Sequence, residues 1–305
     1  MPTHDRPQVS GAGFRLLTVH AHPDDESSKG AATMAGYVAA GAEVMVATCT
    51  GGERGDVLNA AMEADPHGRR DLPGLRRLEM AGAVAELGVQ HRWLGFTDSG
   101  LPEGDPLPDL PFGCFALQPL ERAAAPLVKL VREFRPHVIV GYDENGGYPH
   151  PDHIMAHRIA VEAFEAASDP ARYPGTGEPW AVSKLYYDRA FNPERFRALH
   201  DALEAAGLES PYAERLAQWL EDDAEGHQPP PPTHPTTTQI ECGDFFDRRE
   251  RALLAHRTQV DPEGFFFAVS IDLQRQVWPY EDYSLIRTRV ESTLPEADFF
   301  ADVTA

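Results

Sequence analysis

Apolar residues in the first half of the chain fall into short continuous runs separated by helical patterns. The runs "FRLLTV" (14–19), "EVMVATCT" (43–50) and "HVIVGY" (137–142) predict buried strands. Between them, 29–40 is rich in small residues and stops at Gly41, and 75–87 spaces its apolar side chains three and four apart. A third helical stretch, 119–134, opens on Pro and Glu and ends basic before Pro136, as the helix dipole prefers, with Pro126 inside it. Strands joined by helices of this length predict right-handed βαβ units and a mostly parallel sheet, hence an α/β fold.

The second half is less regular. "VSKLYY" (182–187) predicts a strand, and helical patterns follow at 192–205, 211–221 and, strongly amphipathic, at 244–257. The stretch 221–239 is acidic and Pro/Thr rich; four consecutive prolines favour extended geometry and a surface loop. The aromatic segments "FFFAVS" and "WPYEDYSLI" are expected to pack back on the core. No internal repeat is visible.

In a parallel sheet, ligands gather outside the carboxyl ends of the strands. "HPDDE" (22–26) follows the first predicted strand, "TGGERGD" (50–56) the second and "DENGGYPHPDH" (143–153) the third. All three clusters are therefore expected on one rim. His22 and Asp25 stand three apart across a proline turn, and so do His150 and His153. Imidazole and carboxylate are good ligands for zinc and similar ions. The preferred set is His22, Asp25 and His153, with an open position for water. His157, one turn beyond His153, and His20 are alternatives. Position 154 is Ile, so no HExxH motif is present. Asp24 is placed to act as a general base, and His150 and Tyr148 share a loop with His153 that Gly146 and Gly147 allow to bend close. Asp152 is expected to cap the helix that begins near His153. Together these features predict metal-assisted hydrolysis of an amide or ester.

Composition narrows the field. The 305-residue chain carries a net charge of −21, which disfavours nucleic acid and anionic membranes as partners. No apolar run approaches the ~18 residues of a membrane span, and the N-terminus lacks a signal-peptide layout, so a cytoplasmic protein is expected. The three cysteines show no paired spacing and read as reduced, buried thiols. A nucleotide-binding reading fails because the first strand leads into carboxylates rather than GxGxxG. A non-catalytic metal- or sugar-binding protein would not need Asp24, His150 and Tyr148.

"HAHPDDE" with a later "HPDH" resembles the zinc-dependent N-acetylglucosamine deacetylase superfamily, also called LmbE-like or PIG-L-like. "SSKGAAT" (27–33), "TGGERGDVLN" (50–59), "WLGFTDSGLP" (93–102), "GEPWAVSKLYY" (177–187) and "AHRTQVDP" (255–262) look like its mycothiol S-conjugate amidase branch, over roughly residues 14 to 300. The resemblance implies a Rossmann-like core, 1–190, carrying the metal. A helical and aromatic portion, 191–305, would pack on it as one compact unit, with a Pro-rich loop at 222–238. It implies Zn2+, with Fe2+ as an alternative in the cell, bound by His22, Asp25 and His153. It also implies Asp24 as base, His150 beside the oxyanion or leaving group, Tyr148 as a mobile carbonyl-polarising residue, and Asp152 supporting a histidine. The expected substrate is a small thiol conjugate, cleaved to a mercapturic acid and glucosaminyl-inositol. The sibling reaction is deacetylation of N-acetylglucosaminyl-inositol. Lys29, Glu53, Arg54, Arg76, Asp98 and His256 are the candidate substrate contacts. The oligomeric state is left open.

Overall fold

The computed structural model describes residues 11–62, 65–224 and 234–305. Among these, seven strands form one mixed sheet: β1 Arg15–His20, β2 Glu43–Thr50, β3 Gln90–Phe96, β4 Val138–Gly141, β5 Lys184–Asp188, β6 Thr238–Glu241 and β7 Tyr280–Thr288. Their spatial order is β3-β2-β1-β4-β5-β7-β6. Strands β1 to β5 pair in parallel, and β7 is antiparallel to both its neighbours. The expected α/β architecture, a mostly parallel sheet flanked by helices, is what the chain forms. The helices are α1 Asp25–Ser28, α2 Ala31–Ala39, α3 Pro66–Arg70, α4 Leu72–Leu87, α5 Leu120–Phe134, α6 Pro151–Ala166, α7 Pro193–Ala205, α8 Ala213–Ala224, α9 Phe246–Ala255 and α10 Ile271–Val277.

Strand alternation sorts the core. Leu17 and Val19 of β1 face one side, with Met45, Ala47 and Ile139, and are covered by Leu127, Val128 and Val131 of α5 and Met155 and Ile159 of α6. Leu16 faces the other, with Val44, Val46, Val138 and Val140, under Met34 of α2 and Met80, Ala83 and Leu87 of α4. Burial on both faces explains why β1, β2 and β4 are continuous apolar runs.

Strand β3 lies at the sheet edge, half buried, so "QHRWLGF" shows no such run and its sequence predicted no strand. Strand β7 carries two buried acids. Glu281 accepts the backbone N–H groups of Ala32 and Thr33 at the start of α2, and Asp282 accepts from Asn192, Gln239 and Trp278. Most of these donors, Ala32, Thr33, Asn192 and Gln239, lie far away in sequence. The four-proline run lies outside the described residues. Among the described residues no helix is long and apolar enough to cross a membrane.

The chain order reverses between β1 and β4: β2 and β3 lie to one side of β1, β4 and β5 to the other. The loops leaving β1 and β4 therefore diverge at their carboxyl ends and leave a crevice between them. "HPDD" and "GYPHPDH" are those two loops.

Candidate active site

At the end of β1 the chain turns sharply through Pro23 and Asp24 into α1. Asp24 has φ of 126°, a region that side-chain-bearing residues rarely enter. Three contacts hold it there. Its N–H donates to Glu26 Oε2 at 2.9 Å, Arg76 Nη2 donates to the Pro23 carbonyl at 2.7 Å, and the same guanidinium nitrogen lies 3.3 Å from Asp24 Oδ2. Glu26 is in turn paired with His256 Nε2 at 2.7 Å, both side chains fully buried. Burial pushes the Asp24 carboxyl upward, with Arg76 opposing.

The turn delivers His22 and Asp25 to the crevice. Asp25 divides its oxygens. Oδ1 pairs with Lys29 Nζ at 2.6 Å; Oδ2 accepts the His22 N–H at 2.9 Å and lies 3.6 Å from His22 Nδ1 and 3.4 Å from His153 Nε2. Burial raises Asp25, but Lys29 and then His153 override it and keep the carboxyl well below its usual range. The other nitrogen of His22, Nε2, faces Asp152 Oδ2 at 3.3 Å and Asp98 Oδ1 at 3.5 Å.

His153 comes from the first turn of α6. Its Nδ1–H donates to the Gly146 carbonyl at 2.9 Å, which fixes the tautomer and leaves a lone pair on Nε2. Gly146 is required for this approach: its φ is +72°, and a Cβ there would sit 2.5 Å from His153 Cβ. Tyr142 stacks on the His153 ring at 4.5 Å.

His153 Nε2 is buried with no hydrogen-bond partner. Its lone pair meets that of Asp25 Oδ2, an arrangement that is repulsive unless a cation lies between them. His22, Asp25 and His153 offer ligand atoms all within 4.8 Å of one another. Two imidazoles and one carboxylate fit a divalent cation, with His22 oriented from behind by Asp152 and Asp98. A second group, His22, His150 and Asp152, is as compact but already engaged. Asp152 is hydrogen-bonded to the Ser99 backbone N–H and hydroxyl, and its own N–H donates to His150 Nδ1 at 3.1 Å.

That last bond corrects one expectation. His150, not Asp152, caps α6. The carboxylate of Asp152 turns inward because His22 and Ser99 offer it donors in a site where burial penalises an unpaired charge. Because His150 Nδ1 accepts, the proton of the neutral ring sits on Nε2. Burial and then His22 pull the His150 pKa to about 4. Tyr148, 40 % exposed, stands 4.6 Å from His153 ring to ring.

His22, Asp24, Asp25, Lys29, Arg54, Arg76, Asp98, Tyr148 and His150 line one cleft of about 580 Å3. Arg54 grips Asp98 through its N–H and Nε. Glu53 and His256 are not brought to the cleft wall. Glu53 accepts the Asp98 N–H, and His256 is buried against Glu26. His20 is buried with both ring nitrogens unpartnered, and His157 Nδ1 is bound to the Tyr142 carbonyl. Sequence reasoning did not find Ser99, Tyr142 or Glu26. Ser99 and Tyr142 act through groups that only the fold brings near, and Glu26 reads as one more acid in an acidic turn.

Residues 17–164 match the family model described as PIG-L: GlcNAc-PI de-N-acetylase. The chain is 53% identical over 292 residues to a mycothiol S-conjugate amidase of Streptomyces coelicolor, covering 95% of this chain and 97% of that one. It is 41% identical over 298 residues to a 1D-myo-inositol 2-acetamido-2-deoxy-alpha-D-glucopyranoside deacetylase of Streptomyces avermitilis, again covering 95% and 97%. Among solved structures, N,N'-diacetylchitobiose deacetylase from Pyrococcus horikoshii shares the fold. The TM-score is 0.58 at 16% identity, covering 89% of this chain and 83% of that one.

Proposed function

We propose a reaction from one premise: the chain belongs to the PIG-L family, whose model bears the description GlcNAc-PI de-N-acetylase. The family and the relatives are hydrolases of amide bonds acting on small molecules, and this chain is read as one of them. Its substrate is a mycothiol S-conjugate, cut at the amide between glucosamine and the S-substituted N-acetylcysteine. Identity of 53% to an amidase of that name, against 41% to a deacetylase, favours this substrate. The observation that carries the chemistry is the lone pair of His153 Nε2 aimed at Asp25 Oδ2 beside the partly exposed Asp24.

His22, Asp25 and His153 would hold the ion, and a mixed nitrogen and oxygen set suits Zn2+, with Fe2+ as the alternative. When bound, the ion supplies Lewis acidity, polarising the amide carbonyl and lowering the pKa of water toward ~7. Asp24 takes a proton from the attacking water, a role its raised pKa and the Arg76 contact suit. The same proton then passes to the departing amine. His150 donates from Nε2–H to the oxyanion or the leaving nitrogen. Tyr148, on its glycine loop, swings to donate to the carbonyl oxygen. The C–N bond breaks, the acyl carbon gains the water oxygen, and the products are a mercapturic acid and glucosaminyl-inositol. The protein works in the cytoplasm, the compartment its three unpaired cysteines suit. Residues 1–190 form the catalytic core in this reading, and 191–305 pack on it.

A competition assay tests the proposal. Zinc-loaded protein is given equal amounts of a mycothiol S-conjugate and N-acetylglucosaminyl-inositol, and products are followed by mass spectrometry. Preferential release of the mercapturic acid supports the amidase; preferential release of acetate makes the protein a deacetylase.

A further inference from the structure

The two oxygens of Asp25 meet different partners. Oδ2 faces His22 and His153, while Oδ1 accepts from Lys29 Nζ at 2.6 Å. The grip on Oδ1 is built locally. Lys29 closes α1 and stands four residues after Asp25, the spacing that brings side chains together on a helix. Its backbone N–H also donates to the Asp25 carbonyl at 2.9 Å, so backbone and side chain hold the same residue.

Lys29 borders the cleft, yet little of it is offered to a ligand, since it is only 7 % exposed. Besides Asp25, its ammonium donates to Ser28 Oγ at 3.3 Å. It also lies 5.8 Å from the centre of the Tyr142 ring, the ring that stacks on His153. A buried ammonium and a buried carboxylate this close compensate each other's charge. The expected role of Lys29 as a substrate contact would need that charge to be free.

Two consequences follow for a divalent ion held by His22, Asp25 and His153. With Oδ1 occupied, Asp25 offers one oxygen rather than two, and the position a second oxygen would fill stays free. The ammonium also offsets part of the carboxylate charge and repels the ion, which is then held less tightly and keeps more of its Lewis acidity. We infer that Lys29 is a positioning residue that restricts Asp25 to a single ligand oxygen, weakening metal affinity and strengthening catalysis. The inference rests on the metal reading above and holds for amidase and deacetylase alike.

Three variants test it. Lys29→Met keeps the apolar stem and removes the charge, Lys29→Gln keeps a donor without charge, and Lys29→Arg keeps both. Zinc affinity, measured by competition with a chelator, is expected to rise about tenfold or more in Lys29→Met and severalfold in Lys29→Gln, and to stay near wild type in Lys29→Arg. Co2+-loaded Lys29→Met should absorb more weakly in the visible than the Co2+-loaded wild type, because a second carboxylate oxygen raises the coordination number. Hydrolysis of the substrate preferred in the competition assay should show kcat down about tenfold or more with KM little changed. A lysine that merely supports the fold would lower zinc affinity when removed. A substrate contact would raise KM and leave zinc affinity and the cobalt spectrum unchanged. Either result overturns the inference, and Lys29→Gln decides the same question if Lys29→Met does not fold. Wild-type protein that binds no zinc would overturn the metal reading and the inference with it.

Discussion

Removing the His256 imidazole should damage catalysis from a distance. Glu26 and His256 are both fully buried and 2.7 Å apart. The partnership lowers the Glu26 pKa to about 2 against the pull of burial, and raises that of His256. In His256→Ala the Glu26 carboxylate keeps the Asp24 N–H and the Ser27 hydroxyl but loses the imidazole paired with it. Stranding a buried charge in this way costs about 3–5 kcal/mol, a large part of the ~5–15 kcal/mol that holds a typical domain together. The same carboxylate fixes Asp24 at φ 126°, so relaxing it lets the turn drift toward ordinary backbone geometry. Urea unfolding is expected to show the loss of stability. Kinetics on the zinc-loaded variant should show kcat down tenfold or more with KM and bound metal little changed. Glu26→Gln, with no charge to strand, should make His256→Ala cheap, giving a coupling of about 2 kcal/mol or more in the double-mutant cycle. Additive effects, or a wild-type urea midpoint for His256→Ala, would refute the reasoning.

Three further outcomes are expected. Asp24→Asn should keep its metal, measured by elemental analysis, and lose about 10²- to 10⁴-fold in kcat, the usual worth of a general base. Gly146→Ala places a methyl 2.5 Å from His153 Cβ on a backbone at φ +72°, so its metal affinity, measured by competition with a chelator, should fall as His153 is displaced. His137 accepts the Arg15 N–H on Nδ1, and burial and then Arg15 lower its folded pKa from 6.5 to about 4. Between those values the unfolded chain binds a proton that the folded one refuses, so His137 costs stability as pH falls through that window, by up to ~3 kcal/mol, and nothing above it. Replacing it with Asn, whose side-chain oxygen also accepts, should flatten urea stability between pH 7 and 4 relative to the wild type; an unchanged slope would exclude His137 as its source.

Strands β1, β2 and β4 were legible because burial on both faces leaves no polar positions to break their runs. The turns after β1 and β4 were legible because clustered ligand-type residues at strand ends have little structural purpose. Strand β3 was not, since an edge position tolerates Gln, His and Arg, and neither was β7, whose acids look like a loop until Asn192, Gln239, Trp278 and the start of α2 are beside them. The cavity that Phe191, Tyr212 and Phe265 line together with Asp188 and Arg249 was equally invisible, because these residues come from separate segments.

By itself, then, the sequence determined the chemistry at hand: which strands lie innermost, and which imidazoles and carboxylates sit on one rim. Local spacing encodes that much, because periodicity and tight turns act over a few residues. Tertiary structure alone decided how those groups are held. It set Glu26 against a histidine 230 positions away, gave His150 the cap and turned Asp152 toward His22 and Ser99. Those choices follow from the cost of burying a charge without a partner, and the partner is found only when distant segments pack together.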